Sequence, residues 1–168
     1  VRIGELGNTN LIARKIGQMQ LMPCASPAYL KKHGTPRYPS ELTDHNCLTY
    51  EYAPVKNQWL FRKREPARPA GATGAGDEVR VRVSGSVHGN NGELLAAVAA
   101  QGVGITFEPD FILQPFIESG QLAPILKNWL PPPSPIYAVY PSRRHLSAKV
   151  RSFVDFLAAH FAQRAGWT

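Results

Sequence analysis

Asn90-Asn91-Gly92-Glu93-Leu94-Leu95-Ala96-Ala97-Val98-Ala99-Ala100-Gln101-Gly102-Val103-Gly104-Ile105 sets a polar turn, an alanine-rich run, a glycine stop and an apolar stretch end to end. The order is that of a turn, a helix, a second turn and a strand in an α/β domain. Asn91 or Gly92 opens the helix, because a short polar side chain or bare backbone there leaves amide donors free to meet a ligand's negative end. Gly102 closes it. Between them, Leu94, Leu95, Val98 and Ala99 recur at helical spacing and are expected to pack on a sheet, with Glu93 and Gln101 in water. The helix start is a candidate binding corner.

Toward the amino end, residues 1–6 alternate as a strand does, and residues 11–16 form another that Gly17-Gln18 should break before a third at residues 19–24. Ser26-Pro27 pairs a hydroxyl cap with a proline at the first helical position, and Gly34 stops the short helix over residues 28–33. A further turn of helix is expected at residues 40–42. Residues 48–52 and 59–62 read as strands, and residues 79–84 alternate with valines inward and arginines outward. The Pro-, Gly- and Ala-rich residues 65–77 read as a loop joining two strands.

Toward the carboxyl end, residues 105–107 form a strand that Glu108-Pro109 should end, and a helix over residues 110–119 should bend or restart at Pro115. Residues 122–126 read as a short strand, Pro131-Pro132-Pro133 as a stiff connector, and residues 136–140 as a buried strand. Ser147 caps a long helix in which Val150, Phe153, Val154, Leu157 and Phe161 are expected to make one apolar stripe.

A chain of 168 residues, 43% hydrophobic and 18% charged, can bury a core and form one or two compact units. No run approaches the ~20 apolar residues that span a bilayer, and Val1-Arg2-Ile3-Gly4 lacks the sections of a secretory signal, so a cytoplasmic protein with no membrane partner is expected. The net charge of +7 is scattered over Arg62-Lys63-Arg64, Arg68, Arg80, Arg82, Arg143-Arg144 and Arg151 rather than gathered on one helix. Direct nucleic-acid binding by this stretch is not expected. Cys24 and Cys47 sit beside apolar residues and read as buried, reduced thiols. The five histidines show no metal-ligand spacing, so no metal or cofactor is expected. Asp44-His45-Asn46-Cys47 holds an acid, a base and a nucleophile, but neighbours on one turn do not converge on one point, so no catalytic residue and no enzyme is expected.

Taken together, Leu11-Ile12-Ala13-Arg14-Lys15-Ile16, Cys24-Ala25-Ser26-Pro27-Ala28-Tyr29-Leu30, His45-Asn46-Cys47-Leu48, Asn90-Asn91-Gly92-Glu93, Gly102-Val103-Gly104-Ile105 and Tyr140-Pro141-Ser142-Arg143-Arg144-His145-Leu146-Ser147 resemble the effector-binding domain of LysR-type transcriptional regulators in order and spacing. The resemblance covers residues 1 to about 163 and implies an α/β fold of the type 2 periplasmic-binding-protein kind. In that fold two Rossmann-like subdomains are joined by two crossover strands, with a small effector in the cleft between them. It assigns residues 1–16 and 136–168 to a partial first subdomain, 17–19 and 129–135 to the hinge crossings, and 20–128 to the second subdomain.

The winged helix-turn-helix, the dimerising linker helix and the opening strand and helix of the first subdomain are expected to lie before Val1. DNA would be reached only through that absent part, by a homodimer or tetramer. Without its full cover, the stripe of the last helix would leave the 168 residues alone marginal in stability, at ~1.5 to 3 kcal/mol per large apolar side chain. The effector-binding residues implied by resemblance and geometry are Arg2, Gly4, Glu5, Ala25, Ser26, Tyr50, Asn90, Asn91, Phe107 and Glu108. Glu108 is at odds with the acids many family members sense, and would suit an amine or hydroxyl instead. A free-standing periplasmic solute-binding protein is the alternative, since it would share the bilobal fold.

Overall fold

The computed structural model describes residues 1–3, 11–53, 55, 57–63, 78–141 and 147–162. Its elements begin with β1 (Arg2–Ile3), β2 (Ile12–Met19), β3 (Leu21–Ala25), α1 (Pro27–His33), a 3-10 turn at Pro39–Asp44, β4 (Thr49–Tyr50), β5 (Gln58–Lys63) and β6 (Glu78–Arg82). They continue with β7 (His88–Gly89), α2 (Gly92–Ala100), β8 (Ile105–Pro109), α3 (Asp110–Glu118), β9 (Ala123–Pro124), β10 (Trp129–Leu130), β11 (Ser134–Tyr140) and α4 (Ala148–Ala162). The chain divides into two compact units, Val1–Met19 with Pro133–Thr168, and Gln20–Pro132.

The first unit is an antiparallel sheet ordered β1-β11-β2, with α4 packed on β2. Gly17-Gln18 does not break the strand as expected. β2 runs through both residues, and the irregularity falls one residue earlier: Ile136 faces Gly17 while Tyr137 faces Lys15, leaving Ile16 extra. A bulge absorbs the glycine's freedom without ending the ladder. The stripe on α4 is narrower than expected. Val154 is buried and Leu157 and Phe161 are half-buried, but Phe153 is 60% exposed and Val150 is exposed with it. One step of ~100° around the helix separates Val154 from Phe153, which is enough to turn the ring off the sheet. Ser147 accepts the Val150 amide at 3.4 Å, the expected cap.

The second unit has at its centre the antiparallel sheet β8-β3-β9, which carries two apolar clusters. Because side chains alternate along a strand, Ala25, Ile105 and Phe107 join Trp59, Phe61 and Val81 of the β10-β5-β6 sheet, while Cys24 joins Leu95, Ala99 and Leu113 of α2 and α3. α2 buries Leu95, Ala96 and Ala99; Leu94, expected inside, is 55% exposed. Its ends follow the sequence, with Asn91 Oδ1 accepting the Leu94 amide at 3.0 Å and Gly102 following the helix at φ 82°.

Three long-range effects alter the local readings. β8 continues through Glu108 and Pro109, because β3 supplies partners, Met22 and Leu21, for both. α3 runs unbroken over Pro115, held by buried Leu113 and by Phe116 and Ile117 packed on the second cluster. The strand expected at residues 48–52 contracts to Thr49–Tyr50, pairing in parallel with β7. Residues 64–77, which hold the expected loop, lie outside the described residues.

Candidate functional site

Residues 46–48 are wedged between two backbones. The Ile105 amide donates to the Asn46 carbonyl and the Leu48 amide to the Ile105 carbonyl, each at 2.8 Å, while the Cys47 amide donates to the Ser84 carbonyl at 2.9 Å. Gly104 and Gly85 make this possible, since a Cβ on Gly104 would lie 2.2 Å from the Asn46 carbonyl oxygen and one on Gly85 2.1 Å from that of Cys47. The Asn46 side chain completes the clamp, donating to Val103 O at 2.7 Å and Ser86 Oγ at 3.0 Å and accepting the Ser86 amide at 2.8 Å.

This wedge fixes Tyr50 beside Gly89, immediately before the Asn90-Asn91 turn. Glu108 arrives from β8 on the face toward α2. Its Oε2 lies 2.5 Å from the place a Cβ on Gly92 would take, and Ile112 Cδ1 lies 2.9 Å from the same place. A Cβ on Gly92 would displace the ends of both side chains from the first turn of the helix. Glu108 is 4% exposed, and its Oε1 is buried with no hydrogen-bond partner. Burial alone pushes the carboxyl up to about 7. Thr106 Oγ1, two residues earlier, is likewise buried without a partner. At the start of α3, burial also raises the Asp110 carboxyl, against hydrogen bonds from backbone amides such as that of Phe111 at 2.9 Å.

The expected site residues fall into separate places. Tyr50, Asn90, Asn91 and Glu108 gather around the amino end of α2. Ala25 and Ser26 do not join them. Ala25 pairs with Ile105, and the place a Cβ on Gly102 would take lies 3.5 Å from Ser26 Oγ, so both belong to the opposite end of α2, and Ser26 is spent as the α1 cap, accepting the Tyr29 amide at 3.1 Å. Phe107 faces the other side of β8, its ring 4.9 Å from Trp59 and 5.2 Å from Phe61. In the first unit Arg2 is exposed on β1, opposite Tyr137; Gly4 and Glu5 lie outside the described residues.

In the run Asp44-His45-Asn46-Cys47 the acid and base line one hollow, and the cysteine is buried apart from them. His45 Nδ1 lies 3.2 Å from the Tyr29 hydroxyl, which also accepts the Asn46 amide at 3.0 Å, while Cys47 is fully buried and its thiol faces the Leu42 carbonyl at 3.5 Å. Burial pushes both thiols, Cys24 and Cys47, up to about 12. An open hollow of about 240 Å³, which no sequence signal marked, is lined by His33, Gly34, Thr35, Pro36, Glu41, Asp44 and His45. There burial holds His45 below its ordinary range, reinforced by His33 and opposed by Asp44 and Glu41. Among the described residues no group of three or more His, Cys, Asp or Glu is placed to hold a metal ion, and no helix is long and apolar enough to cross a membrane.

The LysR substrate binding domain profile matches residues 1–162. The chain belongs to that family. An uncharacterized HTH-type transcriptional regulator of Haemophilus influenzae is 34% identical over 150 residues, covering 89% of this chain and 48% of the relative. The HTH-type transcriptional activator TtdR of Escherichia coli K12 is 32% identical over 167 residues, covering 99% of this chain and 50% of the relative. Among solved structures, full-length AphB, a virulence activator of Vibrio cholerae, superposes with a TM-score of 0.77 at 31% identity over 95% of this chain and 50% of its own. The CrgA regulatory domain of Neisseria meningitidis gives 0.73 at 31% identity over 95% of this chain and 75% of its own. The chain thus has the type 2 periplasmic-binding-protein-like fold of LysR regulatory domains, and spans about half the length of the curated relatives it matches. Those relatives are HTH-type transcriptional regulators.

Proposed function

We infer that this chain is the effector-sensing part of a LysR-type regulator, and that it receives a small organic acid-like molecule at the amino end of α2, in the cleft the family resemblance implies. Tyr50, Asn90, Asn91 and Glu108 are the residues of the second unit that would meet the ligand, with Arg2, Gly4 and Glu5 contributing from the first. Residues 17–19 and 129–135 would serve as hinge crossings, so that the ligand biases lobe orientation and, through it, a winged helix-turn-helix carried elsewhere in a cytoplasmic homodimer or tetramer. Ala25, Ser26 and Phe107 drop out of the ligand set, because Ala25 and Ser26 lie at the other end of α2 and Phe107 faces the other side of β8.

The observation that carries this reading is the head of α2. Gly92 and Glu93 occupy the first two helical positions, whose amides have no intrahelical acceptor, and the Asn91 cap takes the Leu94 amide instead. Donors without an intrahelical acceptor at a helix's positive end suit an anion. The relatives are regulators, so a free-standing solute receptor is not favoured.

Thermal melts of the chain against organic acids, amines and neutral sugars test the reading. A ligand at 100 times its Kd stabilises by ~2.7 kcal/mol, a shift of several degrees for a domain of this size. Acids should raise Tm. No shift with any acid, or shifts with amines alone, would overturn it.

A further inference from the structure

We propose that Glu108 sets the effector class by acting as a neutral carboxylic acid: with a ligand bound it donates its proton to a carboxylate that also accepts the α2 amides, and when ionised it competes with that ligand for the same helix end. The inference rests on the effector-sensing reading above, and adds the residue that selects the ligand and the proton that must accompany it.

The geometry comes first. The carboxyl is 4% exposed, stands in the space Gly92 leaves open, and holds Oε1 buried without a partner. A buried polar atom is almost always hydrogen-bonded in a folded protein, so a carboxyl with Oε2 against the first turn of α2 and Oε1 buried and unpaired marks a group waiting for a partner. The elements packed around it supply no cation. β3 is Leu-Met-Pro-Cys-Ala, α2 is Gly-Glu-Leu-Leu-Ala-Ala-Val-Ala-Ala, β8 is Ile-Thr-Phe-Glu-Pro and α3 is Asp-Phe-Ile-Leu-Gln-Pro-Phe-Ile-Glu, with no Lys, Arg or His among them. Their titratable groups are Cys24, Glu93, Asp110 and Glu118. His88, on the strand before α2, is engaged with Thr49. Within these four elements an ionised Glu108 would have only the helix dipole and its amides for company.

Those amides decide what the ligand must bring. Gly92 and Glu93 present donors, and a neutral Glu108 presents a third, so the complementary group is one with several acceptor lone pairs and no hydrogens. A carboxylate fits. An ammonium would set donors against donors, and would also require Glu108 to give up the proton that burial favours keeping, at a value pushed up to about 7. The acids ordinarily sensed by a helix end and the acidic residue beside it are thereby reconciled: one proton, taken up with the ligand, turns the repelling group into a donor.

The test follows the amide resonances of residues 90–94 and the Glu108 side-chain carboxyl by NMR, in the 168-residue chain, with acetate, lactate and benzoate as probes. All three stay ionised between pH 6 and pH 8. If only the protonated form of Glu108 is competent, its population falls about tenfold over that interval and affinity with it. Glu108→Gln, which keeps a neutral donor, should bind at both pH values with less than about twofold difference; Glu108→Leu, which lacks the donor, should bind weakly at both. Bound acid should raise the titration midpoint of Glu108. If no probe moves the α2 amides of a chain that gives a folded spectrum, the site reading itself fails and the proposal goes with it. If probes do move them but affinity is flat from pH 6 to pH 8, or ethylamine binds more tightly than acetate, the site stands and the role of Glu108 is overturned.

Discussion

Replacing Glu108 by Gln should change how stability depends on pH. The folded carboxyl is held at about 7 by burial, against 4.5 for the free group. Above pH 4.5 the unfolded chain releases its proton while the folded one keeps it until about pH 7, so the folded state binds more protons and stability falls across that window, then levels off. With 1.36 kcal/mol for each pKa unit, the full window costs about 3 kcal/mol. The group is 4% exposed, so solvent screening does not reduce the figure much. The Glu108→Gln variant has no proton to lose at this position and should be spared the penalty, so its stability relative to wild type should improve by about 3 kcal/mol between pH 4.5 and pH 8, whatever the fixed cost of the amide at a site with one oxygen unpaired. Trp59 is buried 4.9 Å from Phe107, on the strand that carries Glu108, and reports unfolding of this core by fluorescence. Urea melts of both proteins at the two pH values give the comparison. A difference between them that stays constant with pH to within about 0.5 kcal/mol would mean the carboxyl is not held neutral, and the reasoning from burial would be wrong.

Gly104→Ala places a Cβ 2.2 Å from the Asn46 carbonyl oxygen, backbone against backbone, and should lower stability by about 3 kcal/mol or prevent folding, seen as a collapse of the urea midpoint; a loss below about 0.5 kcal/mol would show that residues 46–48 can move aside. Ser26→Ala removes the cap on the Tyr29 amide and should cost about 1 kcal/mol, while leaving acid binding within twofold, since Ser26 lies at the far end of α2. Abolished binding would restore Ser26 to the ligand set. Cys24 and Cys47, with thiols pushed up to about 12 and fully buried, should react with a disulfide reagent at pH 8 far more slowly in the native chain than in urea. Equal rates would place them at the surface.

Much of the fold is written locally. The Asn91 cap, the Gly102 stop and the Ser26-Pro27 start each depend on groups within four residues, and the alternation of Val79, Arg80 and Val81 needs only the pleat to be right. What the sequence concealed depends on partners far along the chain. Nothing near Pro109 announces that β3 will carry the strand through it, nothing near Pro115 announces the apolar bed that holds α3 straight, and the place of the Gly17 irregularity depends on residues 136 and 137. The exposure of Phe153 beside buried Val154 is a matter of one helical step, too fine for a pattern of apolar letters to resolve.

The site divides along the same line, and α2 shows why. Its two ends carry equally plausible polar groups, Ser26 beside Gly102 and Asn91 beside Gly92, and by letters alone both are capped corners of an α/β unit. A nine-residue helix rises by ~13 Å, so a small effector cannot meet both. Antiparallel pairing of β3 with β8 then decides which end matters: it draws Ala25 to Ile105 and Met22 to Glu108, sending the cap to one end of the helix and the carboxyl to the other. Glu108 thereby changes meaning. Met22 paired across from it, Gly92 yielding the space and Ile112 closing it turn a residue read as a ligand-facing carboxylate at a strand end into a buried acid at a helix's positive end. Gly92 is the visible trace of that in the sequence. A glycine at the first position of an otherwise alanine-rich helix forgoes helix propensity, and the room it leaves is taken by a side chain sixteen residues later.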